Sequence, residues 1–189
     1  HKGDYTNTFA RKMETPKARA QYMWYNDEMP YTLENSIRAD IAGQVLDMIY
    51  LKKIREEASA AYSVSAIGRA QLREDKTHSM MLYAVCPMKP EKRQEAVSIL
   101  EQEVKDLANT CDASMVAKIK ELMLKQADDA VKSNGYWYNV IEMYDKYGID
   151  SHSDYKKLIE AQTPETICSF MKEFNKNGNR LGVVMLPAE

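Results

Sequence analysis

Apolar residues along this chain repeat at two different spacings, and the changes of spacing divide it into strands and helices. Ala18, Ala20, Tyr22 and Trp24 alternate with Arg19, Gln21 and Met23, the pattern of a half-buried strand. A turn follows over 27–31, containing Pro30. Thr32 is then placed as an N-cap. Leu33, Ile37, Ile41, Val45, Met48 and Ile49 recur at helical spacing to about Glu57, and Leu46 and Leu51 widen the apolar arc. This predicts a central helix, covered on more than one side and lying against a sheet. A β-compatible run over 60–70, the polar loop Arg73–Lys76 and a second alternating run from Ser79 to Val85 predict an antiparallel hairpin. Pro87 and Pro90 end it, and Pro90 suits the first turn of the next helix.

The second half reads as helices closed by one strand. Val97, Leu100, Val104 and Leu107 step by three and four. Asp112 caps a helix whose stripe is Val116, Ile119, Met123 and Ala127. An aromatic helical stretch runs between Gly135 and Gly148, and a short helix spans 155–161. Thr163-Pro164-Glu165 opens a helix with Ile167, Phe170, Met171 and Phe174 on its apolar side. Arg180 to Leu186 reads as a final strand. Residues 1–17 are polar and mixed and are predicted to be a connecting arm, with 18–189 a single domain. The order β-α-β-β-α-α-α-α-β predicts an α+β fold, a mainly antiparallel sheet packed against a layer of helices.

Composition narrows the class without naming a chemistry. The 189 residues carry 26 basic and 28 acidic side chains, so there is no basic excess of the kind nucleic-acid binding requires. No stretch approaches the ~20 apolar residues of a membrane span. The reading is a soluble protein, with the compartment open between cytoplasm and periplasm. Cys86, Cys111 and Cys168 are odd in number and widely spaced, as expected of unpaired, buried small hydrophobes. The chain begins at His1 without a charged-then-apolar leader, and further coding sequence is expected upstream.

The chain carries little that would make a self-contained active site. The histidines are His1, His78 and His152, and neither H-x-x-E-H nor H-E-x-x-H occurs. His78 and His152 read as solvated or hydrogen-bonded. The carboxylate pairs Glu56-Glu57 and Asp128-Asp129 are adjacent in sequence and diverge on a helix, so they read as solvated faces. Met80, Met81 and Met88 read first as adaptable core filling and second as a pliable binding surface. Tyr136-Trp137-Tyr138 read first as a core or helix-contact stripe and second as the lining of a peptide or sugar groove.

One segment is specific. Leu46 to Val64 reads Leu-Asp-Met-Ile-Tyr-Leu-Lys-Lys-Ile-Arg-Glu-Glu-Ala-Ser-Ala-Ala-Tyr-Ser-Val. It resembles the helix-to-strand junction in the C-terminal half of the pitrilysin/insulinase family of zinc metallopeptidases, the inverzincins. Arg55 and Tyr62 match the family's Arg and Tyr spacing. Met29-Pro30-Tyr31-Thr32, the hairpin, the Pro90 helix and the Thr163-Pro164 helix follow in the family's order, over about residues 15–189. The resemblance implies a mitochondrial-processing-peptidase-like domain with no metal site of its own. It implies a partner, an N-terminal half on the same chain or a separate subunit, that binds zinc and closes with this one around short or unfolded peptides. Arg55 and Tyr62 would reach towards that zinc site and contact the substrate backbone. Alone, such a domain should be inactive. The same fold also serves as a non-catalytic structural or assembly domain, and that alternative stays open. The sequence departs from the family in one place. Ala58-Ser59-Ala60-Ala61 fills a turn where members often carry Gly, and a positive φ there would strain alanine.

Overall fold

Alternation and capping place the central elements where the sequence puts them. The computed structural model describes residues 2–188, and His1, the expected junction with upstream sequence, lies outside them. Strand β2 (Ala18–Asn26) buries Ala18, Ala20, Tyr22 and Trp24 and turns Arg19, Gln21 and Met23 the other way. Helix α1 (Leu33–Tyr50) starts at Thr32, whose hydroxyl accepts a hydrogen bond from the Asn35 N–H at 3.0 Å. Ile37, Ile41, Val45, Leu46 and Tyr50 carry its buried face.

Helix α1 lies directly on strand β3 (Ser65–Leu72), and backbone meets backbone there. A Cβ on Gly43 would stand 1.9 Å from the Gly68 nitrogen, and one on Gly68 would stand 1.7 Å from the Ala39 carbonyl oxygen. Only glycine fits either place. One turn further on, Asp47 accepts a hydrogen bond from the Ala66 N–H at 2.8 Å and fixes the start of β3 to the helix. Strand β4 (His78–Met88) completes the predicted antiparallel hairpin. Met80 and Met88 enter the core, while Met81 is half-buried on the opposite face.

Strand β5 (Asn179–Pro187) is the last element, and it inserts between β2 and strand β1 (Asp4–Arg11). The five strands run in the order β1-β5-β2-β4-β3, antiparallel except for the parallel pair β1–β5. Part of the expected connecting arm over 1–17 thus forms a strand of the sheet, β1. All eight of its residues are exposed, so it shows no burial pattern, and its ladder comes from the other end of the chain. Residues 12–17 make the connection to β2.

Helices α2 (Arg93–Asp106), α3 (Ala113–Ala130), α5 (Tyr155–Glu160) and α6 (Pro164–Lys176) join α1 in the helical layer. α6 opens with a capping box between Thr163 and Thr166 and buries Ile167, Phe170, Met171 and Phe174 as predicted. Helix α4 (Asn134–Tyr147) differs from the expectation of a core stripe. It buries no residue, and Trp137, Tyr138, Ile141 and Tyr144 are exposed. Three consecutive aromatics point around a helix rather than along one side of it.

Asp40, in the middle of α1, gives the fold a pH dependence. Burial raises its carboxyl pKa, and a hydrogen bond from Gln44 opposes that rise only in part. A raised carboxyl favours folding when protonated, so its contribution is complete below its ordinary value of 3.8 and is lost as pH climbs through the raised one. Asp40→Asn should flatten the fall in melting temperature across that window, as thermal melts in matched buffers would record. An unchanged slope would remove Asp40 from the account.

Candidate functional site

Arg55 and Tyr62 stand on either side of a junction that is tightly anchored. α1 continues without a break into a π-helical segment, Leu51–Glu57, which carries Arg55. The predicted helix thus ends where expected, but its last turns are wound more loosely. The Ala58 N–H reaches the Lys53 carbonyl five residues back at 3.0 Å, and the Ala60 N–H reaches the Ile54 carbonyl at 2.9 Å. Ile54 remains fully buried, so hydrophobic spacing does not reveal the change. Wide turns of this type are uncommon and concentrate at functional sites.

Three contacts hold the junction. The buried Tyr50 hydroxyl donates to the Leu100 carbonyl at 2.8 Å. Burial, reinforced by Glu103 and Cys86 nearby, keeps that phenol well above its usual pKa and therefore a donor. Lys53 pairs with Glu103 of α2 at 2.6 Å. The Lys89 N–H donates to the Ala60 carbonyl at 2.9 Å, beside a bridge between Ala61 and Met88.

The turn itself is left-handed at Ser59, with φ of 50°. The strain expected of alanine in this turn falls on the serine instead. Ser59 is exposed, so Ser59→Gly removes strain without removing packing. The exchange should stabilise the protein by up to ~1 kcal/mol, the αL penalty being offset in part by the entropy of an unfolded glycine. Chemical denaturation would show this as a higher midpoint at unchanged slope, and a lower midpoint would mean the serine hydroxyl has a structural use.

Both predicted residues project from this frame. Arg55 is exposed, and Tyr62 is 87% exposed. Among the described residues neither takes part in a hydrogen bond or ion pair. Tyr62 also borders an open cleft of about 410 Å³ lined by Pro16, Lys17, Pro87, Met88 and Pro90. A guanidinium and a phenol set out on a braced turn add little to the core, and both are free to donate to a ligand.

Of the other candidates, His152 has structural partners. His152 Nδ1 lies 2.7 Å from the Tyr136 hydroxyl, with the Trp137 ring 4.8 Å away. His78 opens β4 in a half-buried position. The cysteines are free; Cys86 is buried, whereas Cys111 and Cys168 are only half-buried. Burial pushes the Cys86 and Cys111 thiols up to about 12, which keeps them protonated at neutral pH. Sequence reasoning missed a cluster around Arg180, which pairs with Glu101 and Asp4 and lies over the Tyr22 ring at 5.8 Å. Its members come from four elements and share no spacing. Among the described residues no three His, Cys, Asp or Glu side chains are grouped as metal ligands would be.

The family profile of the peptidase M16 inactive domain matches residues 4–123, more than half of the sequence. The chain belongs to the peptidase M16 family. Solved structures agree with this M16 domain over its whole length. The ferredoxin protease FusC, solved as a mutant in complex with Arabidopsis ferredoxin, covers 100% of it at 20% identity with a TM-score of 0.80. The periplasmic protease PqqL from Escherichia coli covers 100% at 22% identity with a TM-score of 0.77. Pitrilysin covers 99% at 14% identity with a TM-score of 0.62. These likenesses show the fold, and the M16 domain spans only 21%, 21% and 20% of those three chains. No curated protein matches the sequence. The expected α+β architecture and non-catalytic C-terminal M16 domain are therefore both found. Among the described residues no helix is long and apolar enough to cross a membrane.

Proposed function

We propose that this domain binds peptide and closes the chamber of a zinc metalloendopeptidase whose metal site lies in a separate catalytic half. The observation that carries the reading is the pair Arg55 and Tyr62, exposed and without partners on a braced junction. Zinc held by the catalytic half would supply Lewis-acid activation there. This chain supplies donors on a braced backbone. Arg55 is permanently charged and donates to peptide carbonyls, which orients the backbone. The Tyr62 hydroxyl donates to the oxyanion that develops as the scissile carbonyl becomes tetrahedral. The anchors at Tyr50, Lys53 and Ala60 fix the backbone from which both donors project, so only their side chains have to settle on the substrate.

A second reading, an assembly domain of the same fold, is favoured by one feature: the exposed Trp137, Tyr138, Ile141 and Tyr144 of α4. Peptidase assays separate the two. The domain alone should leave an unstructured peptide intact, and the domain joined to its zinc-binding half should cleave it. If the joined protein binds zinc and is folded yet never cleaves peptide, the assembly reading replaces the first.

A further inference from the structure

The β1–β5 edge has features of a peptide site that the chain fills with its own first strand. β1 is hydrogen-bonded into the sheet through β5 alone, from Asp4 opposite Arg180 to Arg11 opposite Pro187. Every residue of β1 is exposed. Its side chains alternate in two rows. Tyr5, Asn7 and Phe9 share the row of Leu181, Val183 and Met185, while Thr6 and Thr8 share the row of Gly182 and Val184. The threonine row is not sealed by the helical layer. An open cleft of about 550 Å³ lies between Thr6 and Thr8 and the α2 residues Arg93 and Val97, floored by Tyr22 and Val184. Thr6 reaches the Tyr22 hydroxyl, and Gly182 leaves the room for that contact, since a Cβ there would stand 2.7 Å from the Tyr22 ring and 3.0 Å from the Thr6 hydroxyl. Thr8 is too short to fill the space beneath it. At one end β1 is held by a hydrogen bond from the Gly3 N–H to Asn179 at 2.6 Å and by the Asp4–Arg180 pair at 3.6 Å.

We propose that β1 is an exchangeable strand, and that the edge of β5 it covers accepts an extended peptide in its place. The bound β1 defines the ligand: parallel to β5, Thr or Ser where Thr6 stands, and a larger apolar residue where Thr8 stands. Backbone hydrogen bonds supply affinity and the cleft supplies selectivity, as in other strand additions to a sheet edge. β1 competes as a tethered ligand of high effective concentration, so only a peptide that uses the cleft better displaces it. This site is separate from Arg55 and Tyr62 and does not depend on their role.

The test uses the full chain carrying Asn7→Cys and Val183→Cys, two positions directly opposed in register, so that oxidation staples β1 in place. The probe is a fluorescein-labelled peptide of residues 3–12 with Leu at the Thr8 position, followed by anisotropy. Binding to the reduced chain that weakens at least about tenfold on oxidation is the expected result. No binding up to ~1 mM, binding indifferent to the staple, or strand-swapped dimers in place of peptide complexes would overturn the proposal. A second variant needs no disulfide: Thr8→Leu in the chain itself improves the resident strand. It should weaken peptide binding by about tenfold, and unchanged binding would equally overturn the proposal.

Discussion

Tyr62→Phe, made in the protein joined to its catalytic half, is expected to lower kcat by roughly 10²–10³-fold while KM changes little. The substitution deletes one hydroxyl and nothing else. Tyr62 is 87% exposed and outside the core, so the fold has no reason to notice. The oxyanion exists only as the carbonyl becomes tetrahedral, and an interaction made only then appears in kcat. Arg55→Ala should divide differently. A guanidinium that holds peptide carbonyls binds ground state and transition state alike, so KM should rise along with any fall in kcat. Arg55→Lys keeps the charge but loses the fork of donors, and it should recover only part of the loss. A Tyr62→Phe enzyme with unaltered kcat would remove this residue from the chemistry.

Gly68→Ala is the substitution expected to harm the fold most. Its Cβ would lie 1.7 Å from the Ala39 carbonyl, with backbone on both sides and no flexible side chain to yield. α1 must move away from β3, and α1 carries much of the core. A cost of ~3–5 kcal/mol is expected, which for a domain of this size is a fall in melting temperature of about 6–20 °C. Gly43→Ala should behave similarly, because its Cβ would stand 1.9 Å from the Gly68 nitrogen. The two costs should not add, since either change already opens the same contact. Thermal unfolding followed by circular dichroism measures this. A shift of only a degree or two would mean the helix slides off the strand cheaply. The displacement also has a route to the site, because Asp47, one turn after Gly43, pins Ala66 and the chain that follows Tyr62.

Much of this architecture is legible in the residues, and the failures have physical causes. β2, the cap at Thr32, the hairpin and α6 each combine a burial period with a local start or stop signal, and each forms as read. β1 has only its partner. Tyr5, Thr6, Thr8 and Phe9 suit a strand, but with both faces exposed no burial period sets them apart from a polar arm, and the ladder comes from β5. The π-helical segment hides because its one buried residue, Ile54, is a single apolar position and sets no period. α4 misleads because a run of aromatics suggests a core, yet its helix stands off the body. The site is legible in a narrower way. Spacing and charge alone leave Arg55 as a helix-end cation and Tyr62 as an ordinary strand residue. The resemblance to the peptidase family singles them out, and their shared exposure on an anchored turn adds a reason that the sequence does not contain. The glycine pair at Gly43 and Gly68 carries no sequence signal of its own, since their closeness exists only after α1 meets β3.

The most direct test of the account is the affinity of a peptide phosphonate, a stable tetrahedral anion, for the joined enzyme with Tyr or Phe at position 62. If the Tyr62 hydroxyl serves the oxyanion, Tyr62→Phe weakens phosphonate binding by the same factor by which it lowers kcat, and leaves affinity for the matching uncleaved peptide nearly intact. If phosphonate and peptide lose affinity equally, or neither does, Tyr62 is a surface residue of a closing domain and the transition-state role assigned to it is wrong.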